Sequence, residues 1–524
     1  MTARTTRDPS TDARVDDAPI GRLDRIAEIG FWSGLVALVA SAGLARAIGL
    51  SPRTLWHDDL WVAALTRLSL ADMLSATMPV PQGFLTLLWT ARRLFTEPEV
   101  AMQVVPYVAG LAGIVAMGLA IRLVTGSRAV GVLGAALVVW NAQHTHYSVF
   151  VKQYTLEFVS VTLLIAAVTA DSGRTVPRFP LRAVVCALVA CLVGIGTMVV
   201  GTVAANVVLA EHAWRTRSTS RRAIRSLIAA VAFNLLLAVY YWFILRSRSG
   251  ARVRDYWQDY FVPTDSFFVA AQHLQETGIS IVTGALVPQL AMVGWLVPLG
   301  LVALLWHPQS RAIGAIVVLA TSAMISVSAL RLYPLGGERT DIFLYPFVIV
   351  CAALGARTLL ARVPRIQAPL ALAAGGAVVI TLVGAPGVPY YDLDQSDLIR
   401  TLDRRLRPAN GLVIHPGANA LTGFYSTLPI RTIVPDSAQL ILEYDRLRTL
   451  SLGTSVSAGR HALRSFLAAE SYSRIWLIVA RSDERYPLDP LIGMIQADGY
   501  EVRRRWTGRI KSQLVLFERS APSE

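Results

Sequence analysis

The chain has 524 residues, of which 54% are apolar and 16% charged, with a net charge of +14 and a mean hydropathy of +0.49. So apolar and charge-poor a composition excludes an ordinary soluble domain and reads as a polytopic membrane protein. The positive charge does not point to nucleic acid, because the arginines sit mostly in short loops between apolar runs, which is how membrane topology is written.

Residues 1–28 are mixed-charge and rich in Asp, Arg and Thr, and the apolar run after them lacks a small-residue cleavage site. They read as a disordered cytoplasmic tail ahead of a retained first span. A span needs about 20 apolar residues. Runs near that length occur at 30–50, 100–123, 129–145, 155–170, 183–211, 226–245, 286–306, 312–330, 342–361 and 367–386. The run at 183–211 is too long for one ordinary span and is broken at Gly194-Ile-Gly196, so it reads as two short helices. The total is about eleven spans.

Residues 80–95 hold a shorter apolar stretch closed by Arg92 and Arg93. Counted as a span, they put the basic clusters at 174–182, 215–225 and 357–365 outside. Laid on the outer surface as an amphipathic helix, they leave all three in the cytoplasm, as the positive-inside rule requires. The outward segments are then 51–99, about 146–154, about 246–285, 331–341 and everything after about 387. Cys186, Cys191 and Cys351 all fall inside apolar runs, so neither a disulfide framework nor a cysteine metal site is indicated.

From Tyr390 onward the pattern changes. Short apolar runs, "GLVIHP", "RTIVP", "RIWLIVA" and "QLVLFER", alternate with helical patterns at Asp397–Leu406 and Arg460–Ala469. This alternation predicts a small α/β domain over 387–524, outside the membrane. No glycine-rich phosphate loop precedes its helices, which argues against nucleotide binding.

Ionisable groups at a membrane face are costly to desolvate and are functional candidates. Four outward clusters qualify: His57-Asp58-Asp59; Lys152 between Tyr147 and Tyr154; the basic and aromatic loop "RSRSGARVRDYWQDYFVPTD" at 246–265; and Arg331 to Asp341, "RLYPLGGERTD". Each has a plainer reading, as a solvated helix cap, a snorkelling lysine or arginines on lipid headgroups. Their shared side favours a site. An acidic pair opposite basic groups is what is needed to hold an anionic leaving group while a hydroxyl is deprotonated.

These residues also resemble a family. "HDD" after the first span, the helix beginning Pro79-Val-Pro81-Gln-Gly-Phe84, "FTEPEVAMQVVPYVAGLAG", "HYSVFVKQYTLEF" and "YPLGGERTDIFLYPF" stand in the order seen in membrane glycosyltransferases of the GT-C superfamily. The similarity spans about residues 30–365 and is closest to the branch with protein O-mannosyltransferases and the aminoarabinose transferase acting on lipid A. It implies a transmembrane catalytic domain over 29–386, with surface helices in the first outer loop. It also implies a polyprenyl-phosphate sugar donor, a hydroxyl-bearing acceptor and a location in the plasma membrane. Carried onto this chain, Asp58 matches the catalytic base, Asp59 the second acid of the pair, Lys152 the family's basic position and Arg339 the arginine of the glycine-rich loop. With Asp58 and Asp59 as the catalytic carboxylates, the residues themselves add His57, Tyr154, Arg331, Tyr333 and Glu338 to Lys152 and Arg339 as candidates to bind substrate. Two departures argue against a bound divalent metal: Pro79-Val-Pro81 lacks the histidine of relatives, and Phe150 stands where they often carry an acid.

The chemistry needs no metal, because a lipid phosphate is already a good leaving group. A base for the acceptor and cations for the departing phosphate suffice, with Arg as a bidentate fork and Lys as a point charge. Two other readings stay open at this point. A transporter or flippase predicts charged or broken helices near the bilayer midplane in internal repeats. A non-catalytic assembly protein uses the membrane part only as an anchor.

Overall fold

The computed structural model describes residues 18–48, 50, 55, 57–75, 80–172, 178–245, 257–286, 292–361, 367–386, 396–436, 439–444, 448–452, 456–469, 472–480, 488–507 and 512–520. After α1 (Ala18–Ala47) come three shorter helices, α2 (His57–Leu65), α3 (Leu70–Ser75) and α4 (Gln82–Leu94). The bundle continues with α5 (Pro98–Thr125), α6 (Arg128–Trp140), α7 (Ala142–Tyr147), α8 (Tyr154–Ser172), α9 (Leu181–Val193), α10 (Ile195–Arg215) and α11 (Ser220–Tyr240). It closes with α12 (Phe267–Leu286), α13 (Leu296–Trp306), α14 (Arg311–Ala329), α15 (Tyr345–Leu360) and α16 (Gln367–Gly384).

Among the described residues seven helices are long and apolar enough to cross a membrane, and α6, α9, α13 and α16 supply shorter apolar helices. The chain is an integral membrane protein. The run at 183–211 divides at Gly194, whose extended backbone (φ −165°, ψ 157°) ends α9 and starts α10. Of the two short helices expected there, the second is in fact 21 residues long. The stretch at 80–95 forms the 13-residue α4, which at about 1.5 Å per residue is too short to span. It buries Phe84, Leu85, Leu88 and Ala91 on one side.

One helix was not visible in the sequence. Within the segment read as an outer loop, α12 runs for 20 residues, and Phe267 and Phe268 at its start are 82% and 83% exposed. Gln272, His273, Gln275 and Glu276 lower its mean hydropathy enough to hide it from a search for apolar runs.

The C-terminal segment contains α17 (Ser396–Arg405), β1 (Gly411–Ile414), α18 (Asn419–Tyr425), β2 (Ile430–Asp436), β3 (Gln439–Tyr444), β4 (Arg448–Ser451), α19 (Val456–Ala469), β5 (Arg474–Val479), α20 (Leu488–Ala497), β6 (Tyr500–Thr507) and β7 (Gln513–Arg519). A five-stranded sheet has the order β4-β1-β5-β7-β6, and β2 and β3 form a separate antiparallel pair. β1 lies parallel to both β4 and β5, and its four residues are all buried, as expected of a strand covered on both faces. The edge strand β6 exposes Arg503, Arg504 and Arg505, charges that discourage edge-to-edge pairing.

Among the described residues the two largest parts of the hydrophobic core lie in the bundle and at its junction with the C-terminal segment, and a third lies within that segment, from Val413 to Phe517. The first runs from Phe31 and Leu35 to Leu370 and Ala374. The second joins segments more than 300 residues apart in the chain: Leu55, Leu60, Leu65, Phe84 and Leu88 of the first loop meet Leu398, Ile399, Leu421, Phe424 and Trp476 of the C-terminal segment. Each such apolar side chain contributes about 1.5–3 kcal/mol when fully buried, so the first loop and the C-terminal segment are bound into one unit.

Candidate active site

α2 starts at His57 and carries Asp58 and Asp59 in its first turn, where the positive end of the helix dipole favours carboxylates. Neighbouring residues on a helix point roughly 100° apart, and the two acids go to different places. The Asp59 side chain is 2% exposed, while that of Asp58 is 44% exposed.

Lys152 reaches both from the turn between α7 and α8. Its ammonium donates to the backbone carbonyl of Asp58 at 3.0 Å and lies 3.8 Å from Oδ1 of Asp59. A backbone hydrogen bond from Val151 also reaches the Asp59 carboxyl. Burial nonetheless pushes this carboxyl up to about 6, against the opposing pull of Lys152. Asp58 turns instead toward Arg339, whose Nη1 is 3.8 Å from its Oδ2. Both ion pairs are too long for direct hydrogen bonds, which form at about 2.7–2.9 Å for such charged partners.

Arg339 is set by the loop after α14. Arg331 ends that helix in the left-handed conformation (φ 56°), with its N–H bonded to the Ser328 carbonyl. The Tyr333 hydroxyl donates to the carbonyl of Thr340 at 3.0 Å, and Asp341 accepts the N–H of Gly336 at 2.9 Å. The 3-10 turn Glu338–Leu344 that results carries Arg339 over the ring of Trp257, 5.1 Å from the guanidinium carbon. Gly337 allows this stacking, because a Cβ there would lie 3.0 Å from the Trp257 ring. The Trp257 ring in turn meets Tyr260 edge-on.

Tyr154 opens α8, packs edge-on against Tyr147 at 4.9 Å, and lies within electrostatic reach of both Arg339 and Asp58. One turn further on, Glu157 is fully buried, and its carboxyl faces the Gln153 side chain without a well-formed hydrogen bond among the described residues. It lies against the Gly194 break, where any side chain would run into Oε1, and within electrostatic reach of Tyr154 and Tyr333. A buried carboxyl so weakly satisfied is costly, which marks the position.

The structure thus brings Asp58, Asp59, Lys152, Tyr154 and Arg339 together, with Tyr333 alongside as the pin of its loop. Arg331 is exposed, and among the described residues no ion pair ties it to the acids. The side chains of His57 and Glu338, and residues Trp56 and Pro79, lie outside the described residues. Sequence reasoning missed Trp257 and Glu157. Trp257 stands in a loop singled out as basic and aromatic; Glu157 was concealed in an apolar run, where its charge was the available signal. Among the described residues no three His, Cys, Asp or Glu side chains are grouped to hold a metal ion.

No protein-family model and no curated protein matches the chain. Its fold does match solved structures. It is similar to ArnT from Cupriavidus metallidurans in the apo state, with a TM-score of 0.55 and 12% identity, covering 94% of this chain and 98% of that one. It is also similar to ArnT from the same organism bound to undecaprenyl phosphate, with a TM-score of 0.52 and 13% identity over 93% and 98% of the two chains. The likeness runs nearly end to end, and the chain has an ArnT-like fold.

Proposed function

We propose that the protein transfers a sugar from a polyprenyl-phosphate donor to a hydroxyl-bearing acceptor, a cell-envelope glycan, lipid or protein, with inversion at the anomeric carbon. The observation that carries this reading is the exposed Asp58 carboxylate facing Arg339 across 3.8 Å, at the start of a helix whose other acid is buried. The solved structure with undecaprenyl phosphate on the same fold supports a lipid phosphate as the carrier.

In this mechanism Asp58 takes the proton of the acceptor hydroxyl, and the oxygen attacks the anomeric carbon from the face opposite the phosphate. The bond from that carbon to the phosphate oxygen breaks, and its electron pair leaves with the lipid phosphate. Arg339 faces the charge that develops, a contribution typically of a few kcal/mol. Trp257 beneath it and the loop held by Tyr333 and Asp341 keep the guanidinium in place. Lys152 and Asp59 anchor the acid-bearing turn, so the lysine acts first on α2 and less on the phosphate. Glu157, weakly held by Gln153, offers its carboxyl to hydroxyl or amino groups on the sugar.

This reading places the N-terminus in the cytoplasm of a plasma-membrane protein, residues 29–386 as the catalytic bundle and residues 387–524 outside. The test uses reconstituted protein with a radiolabelled polyprenyl-phosphate sugar, following release of lipid phosphate and transfer of label. Wild type turns over and Asp58→Asn does not. Equal turnover in the two overturns Asp58 as base, and none in either overturns glycosyl transfer.

A further inference from the structure

α2, which bears both carboxylates, packs directly against α18 of the C-terminal segment, a helix buried along Asn419–Phe424. The contact is apolar in the middle, where Leu60, Ala63 and Ala64 belong to the same core as Ala420, Leu421 and Phe424. At the two ends of α2 it is directional. Just before the helix, the N–H of Leu55 donates to the Tyr425 hydroxyl at 3.0 Å. Just after it, Arg67 donates through Nη1 to the carbonyl of Gly423 at 2.9 Å and through Nη2 to that of Leu428 at 3.0 Å.

Neither anchor point hangs free. The Tyr425 hydroxyl also bonds to Glu99 at the start of α5, so three parts of the chain meet at one oxygen. Beyond Tyr425, Asp403 of α17 accepts from the Ser426 hydroxyl at 2.8 Å and from the N–H and hydroxyl of Thr427 at 2.6 and 2.8 Å. α18 itself follows β1 closely, and the N–H of His415 between them bonds to the Ile478 carbonyl of β5. The helix is therefore tied to the central sheet at one end and to α17 at the other.

We infer that the C-terminal α/β segment is a positioning element of the catalytic site: α18 and the turn after it, through Tyr425 and the Gly423 and Leu428 carbonyls taken by Arg67, hold the helix that carries Asp58 from both of its ends. The inference rests on the glycosyl-transfer reading for its effect on rate, but the clamp is a property of the fold. An apolar contact alone lets a helix slide or tilt, because dispersion is not directional. Hydrogen bonds at both ends fix its register, and a planar guanidinium on two carbonyls fixes its angle as well. A misplacement of about 1 Å at a reacting group costs on the order of 100-fold in rate. The Asp58 carboxylate, half exposed and facing Arg339 across a long ion pair, takes its position from the helix beneath it. Tyr425 and Arg67 are positioning residues, acting on the reaction only through α2.

The experiment uses the full chain in lipid, with Tyr425→Phe, Arg67→Leu and Arg67→Lys beside wild type. Tyr425→Phe keeps the ring in the core, so it separates the lost hydrogen bond from lost packing. Two readouts are taken: amide hydrogen exchange over residues 55–67, and kcat and KM for a radiolabelled polyprenyl-phosphate sugar. Tyr425→Phe and Arg67→Leu are expected to speed exchange over 55–67 and to lower kcat by about 10- to 100-fold with donor KM changed less than about twofold. Arg67→Lys is expected to recover part of kcat. Unchanged exchange over 55–67 in both of the first two variants overturns the clamp, as does a loss confined to KM. If wild type transfers no sugar, the glycosyl-transfer reading fails and the exchange measurement alone decides the clamp.

Discussion

At the end of the bundle where α1 begins, Glu28 accepts two hydrogen bonds from Arg122 at 2.8 Å and one from Arg128 at 2.9 Å, and Asp24 takes a further nitrogen of Arg128 at 3.1 Å. At the end where α2 begins, the pairs Lys152–Asp59 and Arg339–Asp58 both stand at 3.8 Å, and the Glu157 carboxyl makes no well-formed hydrogen bond among the described residues. The same residue types are closed up at one end and held apart at the other. The closed cluster has used its hydrogen-bonding capacity within the chain and does structural work, modest because it is partly exposed. The open cluster leaves hydrogen-bonding capacity unused within the chain, at a cost in stability, which is the arrangement the proposed substrate site calls for.

The comparison breaks most sharply at Asp58. Asp58→Asn is expected to lower turnover by about 1,000-fold with the fold intact, measured by release of labelled lipid phosphate. Next is Arg339→Ala, for which removing the charge facing the leaving phosphate is expected to cost about 100-fold in kcat, with partial recovery in Arg339→Lys. An unchanged kcat in Arg339→Ala removes it from the site. Glu157→Gln is expected to cost about 10-fold in kcat/KM on a sugar bearing the matching donor group, and less on a deoxy analogue. Equal losses on both sugars dissociate Glu157 from sugar recognition.

A smaller effect is expected from pH. Asp59 is raised to about 6 by burial, so it is charged and paired with Lys152 above that pH and neutral below it. Turnover of wild type is expected to fall as pH drops through about 6, and Asp59→Asn is expected to lack that limb. The sign for stability is opposite: a raised carboxyl favours the fold while neutral, so its contribution is present in acid and lost as pH rises through about 6. The smallest effect tests the closed end. Glu28→Gln is expected to lower the thermal or denaturant unfolding midpoint slightly and to leave turnover within about twofold. If it slows turnover as much as Arg339→Ala does, the contrast between the two ends is lost.

Much of this was legible before any coordinates. Spans announce themselves through runs of local hydropathy, and Gly194 broke one such run where the structure turns. α12 escaped because four polar residues within it dilute the signal that makes a helix visible in a membrane chain. Glu157 escaped for the converse reason, being a single charge inside a run that otherwise reads as lipid-facing. Trp257 lay in a segment already marked, but nothing local tells a ring that it will lie under a guanidinium 82 residues further on.

By itself the sequence determined that the chain enters the membrane many times, that a small α/β segment follows, and that an acidic pair, a lysine and a glycine-bent arginine loop are candidates for one site. These follow from composition, periodicity and turn residues, all of which act over a few residues. Only the tertiary structure decided that Asp59 is buried and Asp58 half exposed, and that one lysine serves both from 94 residues away. It alone joined the C-terminal segment to α2 through contacts spanning more than 350 residues. Which side of a helix faces solvent, and which distant carbonyl a guanidinium finds, depend on the packing of the whole chain, where non-local contacts offset the entropy of closing long loops.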